Sequence, residues 1–299
     1  MGATSKKKLL AVGGSGLVGS RILSLLENNF SIQNFSLETG LDITDPATLS
    51  PILNAPSGSI VFHLAAKADV DSCEKDKPLG ENGPAWKINV EGARNVALAC
   101  AKARHTMVYV STDFVFSGEN TSEAGYTEED SPDPLGWYAV TKYEGEKAVV
   151  STGVRNVIMR IAYPYRSDFK QKLDFVRAIL TRLASGEEVK AVTDHIMTPT
   201  FIDDIAIALK AIAETGMTGI YHVVGSSSIS PYEAVVTIAS MFQIEKPKIE
   251  KISREAFFSG RAPRPFNLTL NNDKIMQLGV KMRTFEEGLK EMKLQGLRI

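Results

Sequence analysis

Two cysteines, Cys73 and Cys100, are all that 299 residues contain. That is too few for a disulfide framework, and their spacing matches no metal motif, so two reduced thiols are expected. Long apolar runs are missing too. No stretch reaches the roughly 18 residues of a membrane helix. The N-terminus lacks the apolar core of a secretory signal. Its "MGATSK" departs from the myristoylation pattern, because Lys6 stands where Ser or Thr is needed. Neither sign of charge prevails: 34 Lys and Arg against 35 Asp and Glu leave a net charge of -1. A balance that close supplies no field for nucleic acid or anionic lipid. The run "SKKK" at residues 5–8 is read as a solvated tail. His63, His105, His195 and His222 are scattered and form no ligand set, so no metal is expected and each is read as an ordinary packed or surface histidine. These absences leave a cytoplasmic globular chain, 43% hydrophobic, with enough apolar surface for one large or two modest domains.

The first half alternates between short apolar runs and helical spacing. "KLLAVGG", "SIQNFSL", "SIVFHLAA", "TMVYVST" and "VRNVIMRIA" read as strands. Between them, "GLVGSRILSLLENN", "DPATLSPILN", "AWKINVEGARNVALACAKAR" and residues 136–150 read as helices. That rhythm predicts βαβ units and a doubly wound parallel α/β sheet covered on both faces. After Ala162 the rhythm changes. "DDIAIALKAIAET" reads as a helix capped by Asp203 or Asp204, and "GIYHVVG" as a strand that rejoins the sheet. Helix and strand patterns around them suggest a smaller α+β lobe at the C-terminal end. The expected division is residues 1–162 with 198–225 for a dinucleotide, and 163–197 with 226–299 for a substrate.

"AVGGSGLVGS" follows the first strand and opens the first helix. It fits two glycine registers, Gly14-x-Gly16-x-x-Gly19 and Gly13-x-x-Gly16-x-x-Gly19. Both supply a tight turn, a close backbone approach to a pyrophosphate and close helix–strand packing. The free N–H groups of the helix then face the phosphates. Gly13, Ser15, Gly16, Leu17, Val18 and Gly19 are therefore cofactor candidates. Glu38 lies 19 residues beyond Gly19, where an acidic group favours the ribose hydroxyls of NAD. Between Ile22 and Ala66 there is no Lys or Arg to meet a 2′-phosphate. The chain thus leans to NAD over NADP. Asp42 and Ile43 stand where an adenine could meet them.

"VYVSTDFVFSG" places Ser111, Thr112 and Asp113 at the carboxyl end of a strand, where open α/β sheets bind ligands. "GWYAVTKYEGEKAV" then carries two Tyr-x-x-x-Lys pairs, Tyr138 with Lys142 and Tyr143 with Lys147. On a helix each pair shares a face. The chemistry such a pair offers is proton donation from a phenol to a carbonyl oxygen as hydride arrives, with Lys⁺ supporting the phenolate. Five residues at about 100° put the two pairs roughly 140° apart, so only one faces a given site. The Tyr138 face continues through Thr141, Lys142 and Gly145, short or polar groups that leave room for a ligand. The Tyr143 face reads as packing with a snorkelling lysine.

Together these motifs resemble an extended short-chain dehydrogenase/reductase, and within it the dTDP-4-dehydrorhamnose reductase branch. Further stretches carry the likeness: "LDITD", "HLAAKADVDSCE", "INVEGARN", "DHIMTPTFIDDIA" and "RPFNLTLNNDK". The resemblance implies Thr112, Tyr138 and Lys142 as catalytic, with Asn89 in support. It implies Leu64, Ala65, Ala66 and Lys67 along the cofactor, Tyr138 and Lys142 included. Asp113, Phe114, Tyr163, Arg264 and Asn267 are the substrate candidates. Tyr163 stands where the family often has Trp. Packing is the other reading of Tyr163 and Phe266, and a solvent-facing loop that of Arg264. The implied activity is reduction of a 4-keto group on a nucleotide sugar, by a protein that could be a homodimer. Asp113-Phe114 in place of Asp-Glu argues against a dehydratase. An epimerase, and a nucleotide-binding regulatory subunit like the methionine adenosyltransferase β subunit, remain as alternatives.

Overall fold

The computed structural model describes residues 6–119 and 122–297. Of "MGATSK" only Lys6 lies within them, and Ser5 of "SKKK" lies outside. The lysines are not a free tail: Lys6 donates to Glu27 O and Lys7 to Ala213 O, both at 3.0 Å, and Lys8 opens β1. In chain order the elements of the first half are β1 Lys8–Val12, α1 Leu17–Leu26, β2 Ser31–Phe35, α2 Ser50–Leu53, β3 Ile60–His63, α3 Val70–Asp76, α4 Pro84–Trp86, α5 Ala93–Ala103, β4 Thr106–Thr112, α6 Trp137–Ser151 and β5 Arg155–Ile161. The second half holds β6 Pro164–Tyr165, α7 Phe175–Ala184, β7 Val189–Val192, β8 Thr200–Phe201, α8 Ile202–Thr215, β9 Gly219–His222, α9 Pro231–Met241, β10 Ile249–Ile252, α10 Arg254–Phe257, α11 Asp273–Met276 and α12 Phe285–Leu294.

Six strands pair in the order β2-β1-β3-β4-β5-β9, all parallel, so "GIYHVVG" does rejoin the sheet, beside β5. The sheet is Rossmann-like. Its strands are continuous apolar runs because both faces are covered. Leu9, Phe62, Val108 and Met159 point into the core under α1 and α8. Leu10, Val61, Met107 and Ile158 point into the core under α5 and α6. The chain leaves β1 in one direction for β2 and in the other for β3. The crevice at the carboxyl ends of β1 and β3 is therefore the topological switch point, where such sheets bind ligands. A third core gathers Tyr165, Leu180, Val189, Ile238 and Phe285, with two small parallel sheets, β7 with β10 and β6 with β8.

Two local expectations need correction or addition. Neither Asp203 nor Asp204 caps α8: the N-cap is Phe201, and the aspartates lie in the first turn. Each is engaged elsewhere. Asp203 takes a bidentate contact from Arg21 at 2.7 and 2.6 Å, and buried Asp204 pairs with Arg283. Negative charge in a first turn still suits the helix dipole. The long helix before β4 is not uniformly α: residues 87–92 form a π segment. Such bulges gather at functional sites, and this one carries Asn89. Among the described residues, no helix is long and apolar enough to cross a membrane.

Candidate active site

The glycine loop is built as its spacing requires. Gly13 has φ +78°, and a Cβ there would lie 2.7 Å from the Ala65 backbone. A Cβ on Gly19 would lie 2.6 Å from Gly14 Cα, so Gly19 lets α1 close onto the loop. Gly16 differs: a Cβ would meet no atom within 4 Å. It caps α1 without a side-chain bond, so no capping side chain takes the first N–H groups of the helix. Asn34 on β2 holds the loop, its Oδ1 accepting from Gly14 N at 2.9 Å and its Nδ2 donating to Ser15 Oγ at 3.0 Å. The sequence reading missed Asn34.

These observations fit a dinucleotide pyrophosphate and separate two kinds of glycine. Gly16→Ala is expected to fold normally, because its φ of -76° suits alanine. It should weaken NAD(P)H binding about tenfold or more by placing a methyl where backbone must approach the phosphates. Gly19→Ala should instead lower the unfolding temperature. Fluorescence titration and thermal melts distinguish the two, and equal cofactor affinity in Gly16→Ala would remove the loop from the site.

Leu64 and Ala65 donate from their N–H groups to Val12 O at 2.8 and 3.0 Å, which bends the chain after β3 over the end of β1 toward the loop. Ala66 follows, and Lys67 turns away. Its Nζ sits 2.5 Å from Asp76, and its backbone N–H donates to Asn89 Oδ1 at 2.9 Å. Glu38 is exposed in the turn just past β2. Asp42 accepts from Thr44 N and Oγ1, both at 2.8 Å, as a local turn. Ile43 is buried against Gly92 of the π segment.

Thr112 ends β4, and α6 brings Tyr138 and Lys142 to it. Lys142 is 3% exposed. Its Nζ donates to Val110 O at 2.7 Å and lies 4.1 Å above the centre of the Tyr109 ring. Burial pulls its pKa from 10.5 down to about 7, and Glu146 opposes the shift. Burial raises the pKa of the Tyr138 phenol, and the neighbouring Thr112 acts in the opposite sense. Asn89 Nδ2 donates to Thr141 Oγ1 at 3.0 Å, so the π segment holds α6 one residue before Lys142. Gly145 allows that approach, since a Cβ would lie 2.3 Å from Asn89 O. Glu74 of α3, another residue the sequence did not single out, caps α6 by accepting from Trp137 N at 2.7 Å. Of the second pair, Tyr143 packs against the cluster that includes Phe114, and only its lysine stays outside. Lys147 is half exposed, bonded to Glu144 at 2.6 Å, and 5.0 Å over Tyr143.

Asp113 is 3% exposed and accepts from Thr112 Oγ1 at 2.9 Å, while its Oδ2 is buried with no protein partner. Burial raises its pKa from 3.8 to about 7. Between those values the folded form keeps a proton that the unfolded form has lost, so stability falls as pH rises through the window. Asp113→Asn is expected to flatten this fall. Unfolding midpoints from pH 4 to 7 test it, and parallel slopes in variant and wild type would refute it.

Phe114 meets Tyr138 edge-on at 6.1 Å and Tyr163 at 6.4 Å, so these three aromatics come together. Arg264 is not a solvent-facing arginine. It donates to Asp71 Oδ1 at 2.9 Å and to Ala262 O at 2.7 Å. Arg261 binds the same carboxylate, which these arginines hold down at about 2 against the opposing desolvation. Asn267 Oδ1 accepts from Thr269 N at 2.9 Å, fixing a turn, while Asn267 N donates to Gly118 O at 3.0 Å. Phe266 is half exposed with Arg254 over its ring. Both cysteines are free and buried, and no metal-ligand cluster occurs among the described residues.

The family model described as the RmlD substrate binding domain matches residues 7–297. The chain belongs to this family. The family likeness extends to solved structures and characterised proteins. A dTDP-4-dehydrorhamnose reductase from Bacillus anthracis in complex with NADP superimposes with a TM-score of 0.87 at 30% identity, covering 97% of this chain and 99% of that one. The dTDP-4-dehydrorhamnose reductase of Aggregatibacter actinomycetemcomitans is 29% identical over 300 residues, 96% of this chain and 98% of its own. Methionine adenosyltransferase 2 subunit beta of Xenopus laevis is 26% identical over 300 residues, 95% of this chain and 86% of its own. The chain is thus similar both to reductases and to a subunit named for another enzyme. The residues of the site have to choose between them.

Proposed function

We propose that this chain is an NAD(P)-dependent reductase of a 4-keto group on a nucleotide-linked sugar, close in activity to dTDP-4-dehydrorhamnose reductases. One observation supports the reading: Thr112 ends β4 near Tyr138, and Lys142 of the same helix donates to Val110 O of that strand, in a sheet whose first strand ends in a glycine loop with open space at Gly16. Gly13, Ser15, Gly16, Leu17, Val18 and Gly19 would hold the pyrophosphate, with Leu64, Ala65 and Ala66 alongside. The bound dinucleotide supplies the hydride. Thr112 polarises the keto oxygen, and Tyr138 gives that oxygen its proton. Lys142, when charged, stabilises the phenolate left behind. Glu38, and the lack of any Lys or Arg from Ile22 to Ala66, favour NAD; the NADP held by the Bacillus anthracis relative favours the other. Both are retained as the cofactor.

Phe114, Tyr163, Arg264 and Asn267, with protonated Asp113, are assigned to the sugar nucleotide. Residues 1–162 with 198–225 bind the cofactor in this reading, and 163–197 with 226–299 the substrate. A cytoplasmic homodimer is the expected state. The relationship to methionine adenosyltransferase β subunits supports a second reading, a nucleotide-binding regulatory subunit. Stopped-flow oxidation of NADH and NADPH with a panel of nucleotide 4-keto-sugars separates the two. Turnover on one sugar is expected. Tight cofactor binding without turnover, and co-purification with another enzyme, would favour the regulatory subunit.

A further inference from the structure

Tyr163 follows the end of β5 with a backbone φ of +39°. An aromatic residue in the left-handed region is strained, and such strain persists only where the surroundings enforce it. The Tyr163 carbonyl accepts from Thr200 N at 3.3 Å. Its hydroxyl lies 2.8 Å from His195 Nε2, and His195 Nδ1 lies 2.8 Å from Pro265 O. A carbonyl can only accept, so Nδ1 carries the proton, Nε2 accepts, and the Tyr163 hydroxyl donates. His195 is 1% exposed, and burial favours its neutral form.

One imidazole thus joins two walls. On one side Tyr163 packs near Phe114, which meets Tyr138 edge-on. On the other side Pro265 lies between Arg264, tied to Asp71, and the half-exposed Phe266. The hydroxyl of Tyr163 is consumed inside the protein, while the residue as a whole remains partly exposed. Its ring, not its polar tip, therefore supplies the exposed part.

We propose that His195 is a positioning residue for the nucleotide sugar, fixing the Tyr163 ring beside Tyr138 and setting its distance from the Arg264 loop. This rests on the reading given under Proposed function. The glycine loop lies at the end of β1 and shares no contact with His195, so sugar affinity depends on His195 and cofactor affinity does not.

The test is calorimetric binding of dTDP-rhamnose, the reduced sugar nucleotide, together with separate titration of NADP⁺. His195→Ala leaves Tyr163 and Pro265 without their partner and should weaken dTDP-rhamnose binding about tenfold, the scale of losing a buried hydrogen bond. Affinity for NADP⁺ should stay within about twofold, a size that marks no shared contact. His195→Gln can still accept from Tyr163 and donate to Pro265, and should restore most of the sugar affinity. Tyr163→Phe should resemble His195→Ala, and the double variant should be no worse than either single one. Equal sugar affinity in wild type and His195→Ala, additive losses, or parallel loss of cofactor overturns this inference alone. A wild type that binds NADP⁺ but no dTDP-rhamnose overturns the reductase reading, and the inference with it.

Discussion

Tyr138→Phe is expected to lower kcat for keto-sugar reduction by about 10²–10⁴-fold, the contribution of a positioned general acid. Cofactor affinity should remain within a few-fold. The phenylalanine keeps the ring against Phe114 and removes only the proton and the Thr112 contact. Tyr143→Phe is the matched control. Tyr143 sits under Lys147 on the other face of the same helix, so its loss should cost less than about twofold, as for a residue without a role in the transition state. Steady-state kinetics on both variants checks the assignment. Comparable losses would mean that the helix, not the phenol, was being perturbed.

The second large effect is expected beneath Lys142. Glu146 lies one helical turn beyond Lys142, and Arg160 of β5 meets it with Nε at 3.0 Å and Nη2 at 2.8 Å. Both side chains are almost wholly buried, 5% and 1% exposed. Glu146→Ala leaves the guanidinium uncompensated and should destabilise the fold by about 3–5 kcal/mol. Replacing both members by apolar residues should recover much of that loss. The pair also bears on chemistry, because Glu146 is the main group sustaining the Lys142 charge against desolvation. His63 of β3, stacked on Tyr109, stays neutral, its pKa driven down to about 3, chiefly by burial and then by Lys142. Tyr109 is held neutral by burial, as is the Cys73 thiol, pushed up to about 11.

The sign of the pH effect follows. Lys142 loses its proton in the folded form near pH 7 and in the unfolded form near 10.5. Stability from this site rises with pH across that interval, whereas the charge that supports the phenolate is lost. Reduction should therefore weaken as pH rises through about 7. Glu146→Gln, which retains a partner for Arg160, should move that limb to lower pH. Urea titration and a pH profile of kcat/KM measure the two consequences, and an unmoved limb would leave Glu146 a purely structural residue.

Much of the framework was legible because period and punctuation agree locally. The strands around Leu9, Phe62 and Val108 are continuous apolar runs, and only a sheet covered on both faces makes those. The glycine loop was legible because three glycines stand where a strand meets a helix. The preference for Tyr138 over Tyr143 rests on helical angle and neighbour size, and the kinetics of the two variants decide it. Other features depend on distant partners. Nothing local marks Asn34 as the brace of the loop, Glu74 as the cap of α6, or residues 87–92 as a π turn. Asp203 and Asp204 look like caps by residue type, yet tertiary ion pairs with Arg21 and Arg283 claim them. Lys67 falls in a cofactor-lining stretch by resemblance, but Asp76 nine positions on draws its charge away. His195 reads as an ordinary histidine, and its two partners, Tyr163 and Pro265, are 32 and 70 residues distant.

Hydride transfer to the sugar is the most direct test. Reduced cofactor deuterated at the transferable position of the nicotinamide, incubated with dTDP-4-dehydrorhamnose, should yield dTDP-rhamnose carrying deuterium on C4. Mass and NMR spectra should show one label per cofactor oxidised, and Tyr138→Phe should yield almost none. An epimerised sugar with the cofactor unconsumed, or no product from a protein that binds the dinucleotide tightly, would contradict the account.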